Sequence, residues 1–324
     1  STAAVYEREN KELAEWGFLD VTKTPSTVDA TGRRDSSAMI QQAVNDGRDR
    51  RWVIYFPSGV YLVSDQIMAR QIRQPRRPET DLNAVDDYPC ILWGATKGGR
   101  ATLKLADHSD GFTDADHPQP VIRTDSHDHN PNVSFNQMIV SLDFDLGEGN
   151  LGAIAVDHQA AQGSVTEDVH VMARDGFAGF RGACGSGGSM SHISVQGGRF
   201  GLYLDDLEPG RYRGSQPSPV ISCVKLIGQS EKSIVCGTRG PLTLVGATIN
   251  GAGIQLVDAG QPFNSALNLI DSSIRLARAD ETAISGSRPL CMINVAFESV
   301  RQIAAIENIA PLTVEETGQT VVQR

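Results

Sequence analysis

The sequence has no apolar run approaching the ~18–20 residues that a membrane-spanning helix needs. Hydrophobic residues still make up 40% of it, so the material for a buried core is present. Basic charge is short: 29 Lys and Arg face 39 Asp and Glu, a net charge of −10. A surface of that sign repels DNA, RNA and polyanionic sugars, so neither a nucleic-acid nor a membrane partner is expected. The one Arg-dense stretch, residues 70–77, is broken by Pro75 and reads as an exposed loop. Cysteine is scarce. Cys90, Cys184, Cys223, Cys236 and Cys291 are odd in number and lack metal-ligand spacing, so they read as buried thiols, with one disulfide open as an alternative. The acidic, His-bearing stretch from Asp107 to His129 has the donor types for a divalent cation. It lacks EF-hand and HExxH spacing, so a solvated loop is expected and no metal or other cofactor is called for.

What the sequence does have is repetition, the first thing to seek in a chain of 324 residues. Alternating apolar and polar segments recur at 141–146, 166–171, 191–195, 222–226, 244–249, 269–274 and 292–297. Taking Asp143, Asp168, His192, Cys223, Gly246, Asp271 and Asn294 as equivalent gives steps of 25, 24, 31, 23, 25 and 23. A second set lies between them at 153–157, 179–181, 201–204, 233–236, 253–257, 282–285 and 303–306. Both sets have the period of half-buried strands. Glycine-rich turns separate them, and no amphipathic helix fits between, which excludes a βαβ sheet. Two strands per coil at this interval predict an all-β fold, a right-handed parallel β-helix. Residues 1–70 read as an α-helical N-terminal cap with the first coil, and 71–324 as one continuous β-helix domain. In the cap, 7–16 is a short charged helix, and Asp35 is placed as N-cap of a helix over 36–44. Trp16, Trp52 and Trp93 all fall in the first third of the chain, toward the cap. With aromatic residues at only 6%, few rings remain for sugar stacking.

The segment Asp29-Ala-Thr-Gly-Arg-Arg-Asp35, followed by Val53-Ile-Tyr-Phe-Pro-Ser-Gly59, resembles the opening of the pectate-lyase-like β-helix superfamily. A narrower likeness rests on Phe135-Asn-Gln-Met138, Gln159-Ala-Ala-Gln162, Gly185-Ser-Gly-Gly188, Ile270-Asp-Ser-Ser273 and Asn294-Val-Ala-Phe297. Their order is similar to that in the N-terminal lobe of glycoside hydrolase family 55, the β-1,3-glucanases or laminarinases. That resemblance implies an inverting hydrolase with two β-helix lobes, whose general acid, a glutamate, lies on the second lobe. It also implies an extracellular location. It gives Gln162 and Ser186 catalytic roles in holding water and the terminal sugar, with Gln159 and His158 binding substrate. Asp157 and His158 stand where the family carries a His-Trp pair, so one stacking ring is lost.

The residues themselves offer two ladders. Asp143 and Asp168 are candidate catalytic carboxylates, at equivalent positions by the register above, with His192 one coil on as a substrate contact. Asp145, His170 and Ser194 form a second row. Carboxylates on neighbouring coils fall within the reach that glycoside hydrolysis requires. The step from His192 to Cys223 is the longest, so the loop after residue 204 is an insertion. It offers Asp205, Asp206, Glu208 and Tyr212 as substrate-binding residues; a charged surface loop is the bland alternative. Three functions stay open. The first is a glycoside hydrolase of the β-1,3-glucanase type acting on a neutral polysaccharide, alone or as one lobe of a two-lobe enzyme. The second is a lyase or epimerase on a uronate polymer, drawing on Arg174, Arg181, Arg199 and Arg211. The third is a non-catalytic carbohydrate-binding or assembly subunit, partnered by a second lobe or by copies of itself.

Overall fold

One residue within each long predicted strand sets the cross-section of the molecule. The computed structural model describes residues 11–23, 25–75, 85–126, 129–158, 160–205, 218–258, 265–307, 312–313 and 320–323. Ser141, Asp168, His192, Cys223, Asp271 and Asn294 have φ between 49° and 53°, and Gly246 has φ 67°. A left-handed residue turns the backbone where a strand would otherwise continue. It separates Met138–Val140 from Leu142–Asp145, Val165–Glu167 from His170–Arg174, and Ser189–Ser191 from Ser194–Gly197. The coils up to Gly251 therefore carry three strands rather than the two read from the sequence, while Leu267–Leu276 and Leu290–Glu298 run through Asp271 and Asn294 as single strands. The corner leaves a trace in the spacing of inward residues. They stand three apart across it (Ile139 to Leu142, Met190 to Ile193, Ile221 to Val224) and two apart beyond it (Leu142 to Phe144, Ile193 to Val195, Val224 to Leu226).

The chain is a right-handed parallel β-helix. The first wall runs through Val53–Phe56, Ile91–Gly94, Met138–Val140, Val165–Glu167 and Ser189–Ser191. Past the corner, the second wall runs through Gly59–Val63, Ala101–Leu105, Leu142–Asp145, His170–Arg174 and Ser194–Gly197. These two walls belong to one 18-stranded sheet, and the third, with Gln119–Asp125, Ala153–Asp157 and Ala178–Arg181, to a 10-stranded sheet. Stacking in register turns alternation into continuous interior rows. One runs Leu103, Phe144, Val171, Val195, Leu226, Ile249, Ile274 and Phe297, all buried. Each such side chain contributes roughly 1.5–3 kcal/mol of burial.

The ends are closed differently. Helix Ser37–Arg50 packs Ile40, Ala43 and Val44 inward at the first coil. It runs six residues past the predicted end, and its N-cap is Ser36, while the Asp35 carboxylate accepts from the Ser37 N–H and Oγ. At the far end, Thr320–Gln323 pairs antiparallel with Leu290–Glu298, and Leu312–Thr313 with Gln302–Ile306. These strands cover the last parallel edges.

Two readings change. The five cysteines are all free, and Cys223 and Cys291 are exposed rather than buried, because one occupies a corner and the other an outward strand position. The first step of the ladder also shifts. Val140 pairs with Glu167 and Phe144 with Val171, so Ser141, not Asp143, is the partner of Asp168. Asp143, not Asp145, stands level with His170 and Ser194. A slip of two residues keeps every side chain on its face, so alternation cannot detect it.

Because Cys223 is exposed, its backbone conformation can be tested without disturbing the core. Cys223→Val should cost about 1–2 kcal/mol, the penalty of a left-handed β-branched residue, whereas Cys223→Asn should not. Urea unfolding of both variants would show it, and equal stabilities would refute the corner geometry.

Candidate functional site

The coil containing Ile91–Gly94 turns its corner differently. Where later coils pass with one left-handed residue, it inserts residues 95–100 before Ala101–Leu105. Gly98 and Gly99, at φ 77° and 124°, allow the tight return. That extra length delivers Arg100 to the corner of the next two coils. Its Nε and Nη2 donate to Asp143 Oδ2 and Oδ1 at 2.6 and 2.8 Å. Its Nη1 donates to Asp168 Oδ2 at 2.8 Å, and Nη2 also reaches the Asp168 carbonyl at 2.7 Å. Ser141 Oγ donates to Asp168 Oδ2 at 2.8 Å, and the His170 N–H to Asp143 Oδ1 at 3.1 Å. One guanidinium thus spans two carboxylates. Partial burial works against ionising Asp168, but the hydrogen bonds from Arg100 and Ser141 outweigh it and hold the carboxyl below its ordinary value. Arg100 is pushed up, chiefly by its bond to Asp143. A carboxylate held in this way keeps its charge and makes a poor general acid at neutral pH.

The predicted residues divide between the two margins of the first wall. Asp143, Asp168 and His192 lie at the corner margin. Gln162 and Ser186 lie on the opposite turns, both exposed, stacked so that Gly163 N–H donates to Gly187 O at 3.2 Å. Asp205 follows Leu204 on the corresponding turn of the next coil, since Arg181 is level with Tyr203. From Gln162 to Asp168 the chain spans at most ~20 Å, so the margins frame a single floor. His158 does not belong to it. The residue is fully buried, with Nδ1 2.6 Å from Thr166 Oγ1, and burial pushes it down to about 4. A neutral interior ring cannot meet a substrate on the wall, which corrects that assignment. Gln159, Asp206, Glu208 and Tyr212 lie outside the described residues.

The floor holds residues that sequence reasoning did not select. Trp93 belongs to the wall rather than to a cap. It is 40% exposed, level with Tyr55 on one side and Val140 on the other. Phe18 meets Tyr55 edge-on at 6.1 Å and Trp93 at 6.5 Å between ring centroids. The exposed Glu167 is the next rung after Val140, about 10 Å from Trp93 at the strand spacing. Alternation over 53–56 and 91–94 already pointed Tyr55 and Trp93 outward; Arg100 carried no such signal, because it sits in an insertion. Among the described residues, no three His, Cys, Asp or Glu side chains converge to hold a metal, and no helix is long and apolar enough to cross a membrane.

The family model described as rhamnogalacturonase A/epimerase, pectate lyase-like matches residues 24–208. No curated protein matches the chain. Among solved structures, ORF18 of Geobacillus virus E2 superposes with TM-score 0.52 at 11% identity, covering 98% of this chain and 66% of that one. This chain therefore spans just under two thirds of the viral protein's length. PfbA, a surface adhesin of Streptococcus pneumoniae, aligns at TM-score 0.38 and 9% identity over 94% of this chain and 99% of its own. The Dettilon tailspike protein aligns at TM-score 0.36 and 8% identity, over 90% and 63%. At these identities the likeness concerns fold alone.

The Arg100 clamp predicts a pH dependence of stability. Asp168 has a lower value folded than its ordinary 3.8. Its stabilisation is therefore complete above that ordinary value and is lost as pH falls through the lower folded one. Arg100→Ala should cost about 1–2 kcal/mol near neutrality, discounted for the partly exposed setting, and should flatten the acid limb. Denaturant unfolding of both proteins at stepped pH would reveal this; parallel acid limbs would refute it.

Proposed function

The chain belongs to the rhamnogalacturonase A/epimerase, pectate lyase-like family, and from that premise we propose that its first wall binds a neutral polysaccharide. The specific reading is a glycoside hydrolase of the β-1,3-glucanase type, working alone or as the sugar-holding lobe beside a second lobe, in an extracellular setting and without a cofactor. The observation that carries it is the exposed Trp93 in line with Glu167, between two polar margins. The apolar face of a sugar ring packs on an indole, while hydroxyls at the ring edge are met by amide, hydroxyl and carboxylate groups. Gln162 and Ser186 stand on one margin; Asp143, Asp168 and His192 stand on the other. Glu167 is the carboxyl available as general acid on this wall, since no arginine clamps it among the described residues.

A charged uronate is the weaker substrate. A lyase or epimerase needs cations free to neutralise the sugar carboxylate. Here Arg174 donates to Asp145 at 2.5 Å, Arg181 to Asp157 at 2.7 Å and Arg199 to Glu231 at 2.6 Å, and Arg211 lies outside the described residues. A binding or assembly role without chemistry is favoured by one observation: both carboxylates of the expected catalytic pair answer to the same arginine.

Laminarin and its oligosaccharides separate these readings. Binding should weaken by roughly 10–150-fold in Trp93→Ala, the loss of about 1.5–3 kcal/mol of ring burial, as measured by calorimetry. Sugar release that disappears in Glu167→Gln would establish the hydrolase. Binding without release would leave the sugar-holding lobe, and neither binding nor release would refute the glucan reading.

A further inference from the structure

Ser194 stands one rung beyond His170 on the outer face of the second wall. Its Oγ lies 2.7 Å from His170 Nδ1. The other ring nitrogen, Nε2, lies 3.4 Å from Asp168 Oδ1. Asp168 is itself fixed through Oδ2 by Arg100 and Ser141, each at 2.8 Å, and the His170 backbone is tied to Asp143. A hydroxyl, an imidazole and an immobilised carboxylate therefore stand in sequence, the arrangement that activates a serine on unrelated folds. The long imidazole–carboxylate contact is in the range that tightens when substrate binds. The His170 side chain is 47% exposed, so an ester can approach. Lys225 is exposed on the rung after Ser194, so a cation stands one strand spacing from the hydroxyl.

We propose that Asp168, His170 and Ser194 form a serine-esterase site that removes ester-linked acyl groups from a carbohydrate. The carbohydrate half rests on the reading of the first wall, whose margin the triad borders. Ser194 Oγ attacks the ester carbonyl carbon while His170 Nδ1 takes the hydroxyl proton. The bond from that carbon to the sugar oxygen breaks, and the same proton passes to the leaving oxygen. Water, giving its proton to His170, then cleaves the acyl-serine, which releases the carboxylic acid and restores the hydroxyl.

The full chain should hydrolyse p-nitrophenyl acetate, and Ser194→Ala should lower that rate at least about 100-fold, the range of a lost nucleophile–base pair. A fluorophosphonate should label the wild-type protein once, on Ser194, by peptide mass mapping. Equal rates in wild type and Ser194→Ala, or a label absent or elsewhere, would overturn the triad. Neither probe contains sugar, so their failure is distinct from failure of laminarin binding. A higher kcat/KM on O-acetylated gluco-oligosaccharides than on p-nitrophenyl acetate supports the carbohydrate half, and a lower one overturns it.

Discussion

Each coil must bring its chain back to within one strand spacing of the coil before it, in register, while keeping an apolar row inside. The left-handed residue between the first and second walls makes this return possible with a single amino acid. It reorients the strand without a loop, so side chains on both sides still stack on their counterparts one rung away. The identities tolerated there, Ser, Asp, His, Cys, Gly and Asn, are small or polar residues whose side chains leave the core. Rows such as Leu103 to Phe297 follow from that constraint.

The same corner explains the electrostatics. Asp168 is a corner residue and Asp143 lies just past the corner of the preceding coil, so two carboxylates are forced close together on neighbouring rungs. Uncompensated, they would repel. The insertion at 95–100 sends Arg100 across both, and its charge turns a repulsive pair into a rigid polar edge. That rigidity suits binding and orientation more than proton transfer. The acid–base potential shifts to groups outside the clamp, Glu167 on the floor and His170 on the second wall. Membership of the pectate lyase-like family is consistent with this arrangement, in which a common scaffold presents a wall and individual residues define its chemistry.

Much of the fold was legible in the residues. Alternation located the third-wall strands almost to the residue: 153–157 is Ala153–Asp157, and 282–285 falls within Thr282–Gly286. The positions Asp168, His192, Cys223, Gly246, Asp271 and Asn294 do share one structural role. The corner within each long strand was also encoded, in the three-residue step between inward side chains, yet an average period of two conceals one longer step.

By itself, the sequence determined that the chain winds into stacked parallel coils with an apolar interior and an acidic exterior, because periodicity and composition are local properties. Only the tertiary structure decided which polar residues meet. Counting along the chain pairs Asp143 with Asp168, but Arg100 is what joins them, and the family resemblance puts His158 at the surface, but it lies inside. Ser194, His170 and Asp168 come together across 26 residues of chain because of the strand register. Register depends on the lengths of turns between coils, and a slip of two residues leaves every pattern of inward and outward side chains unchanged.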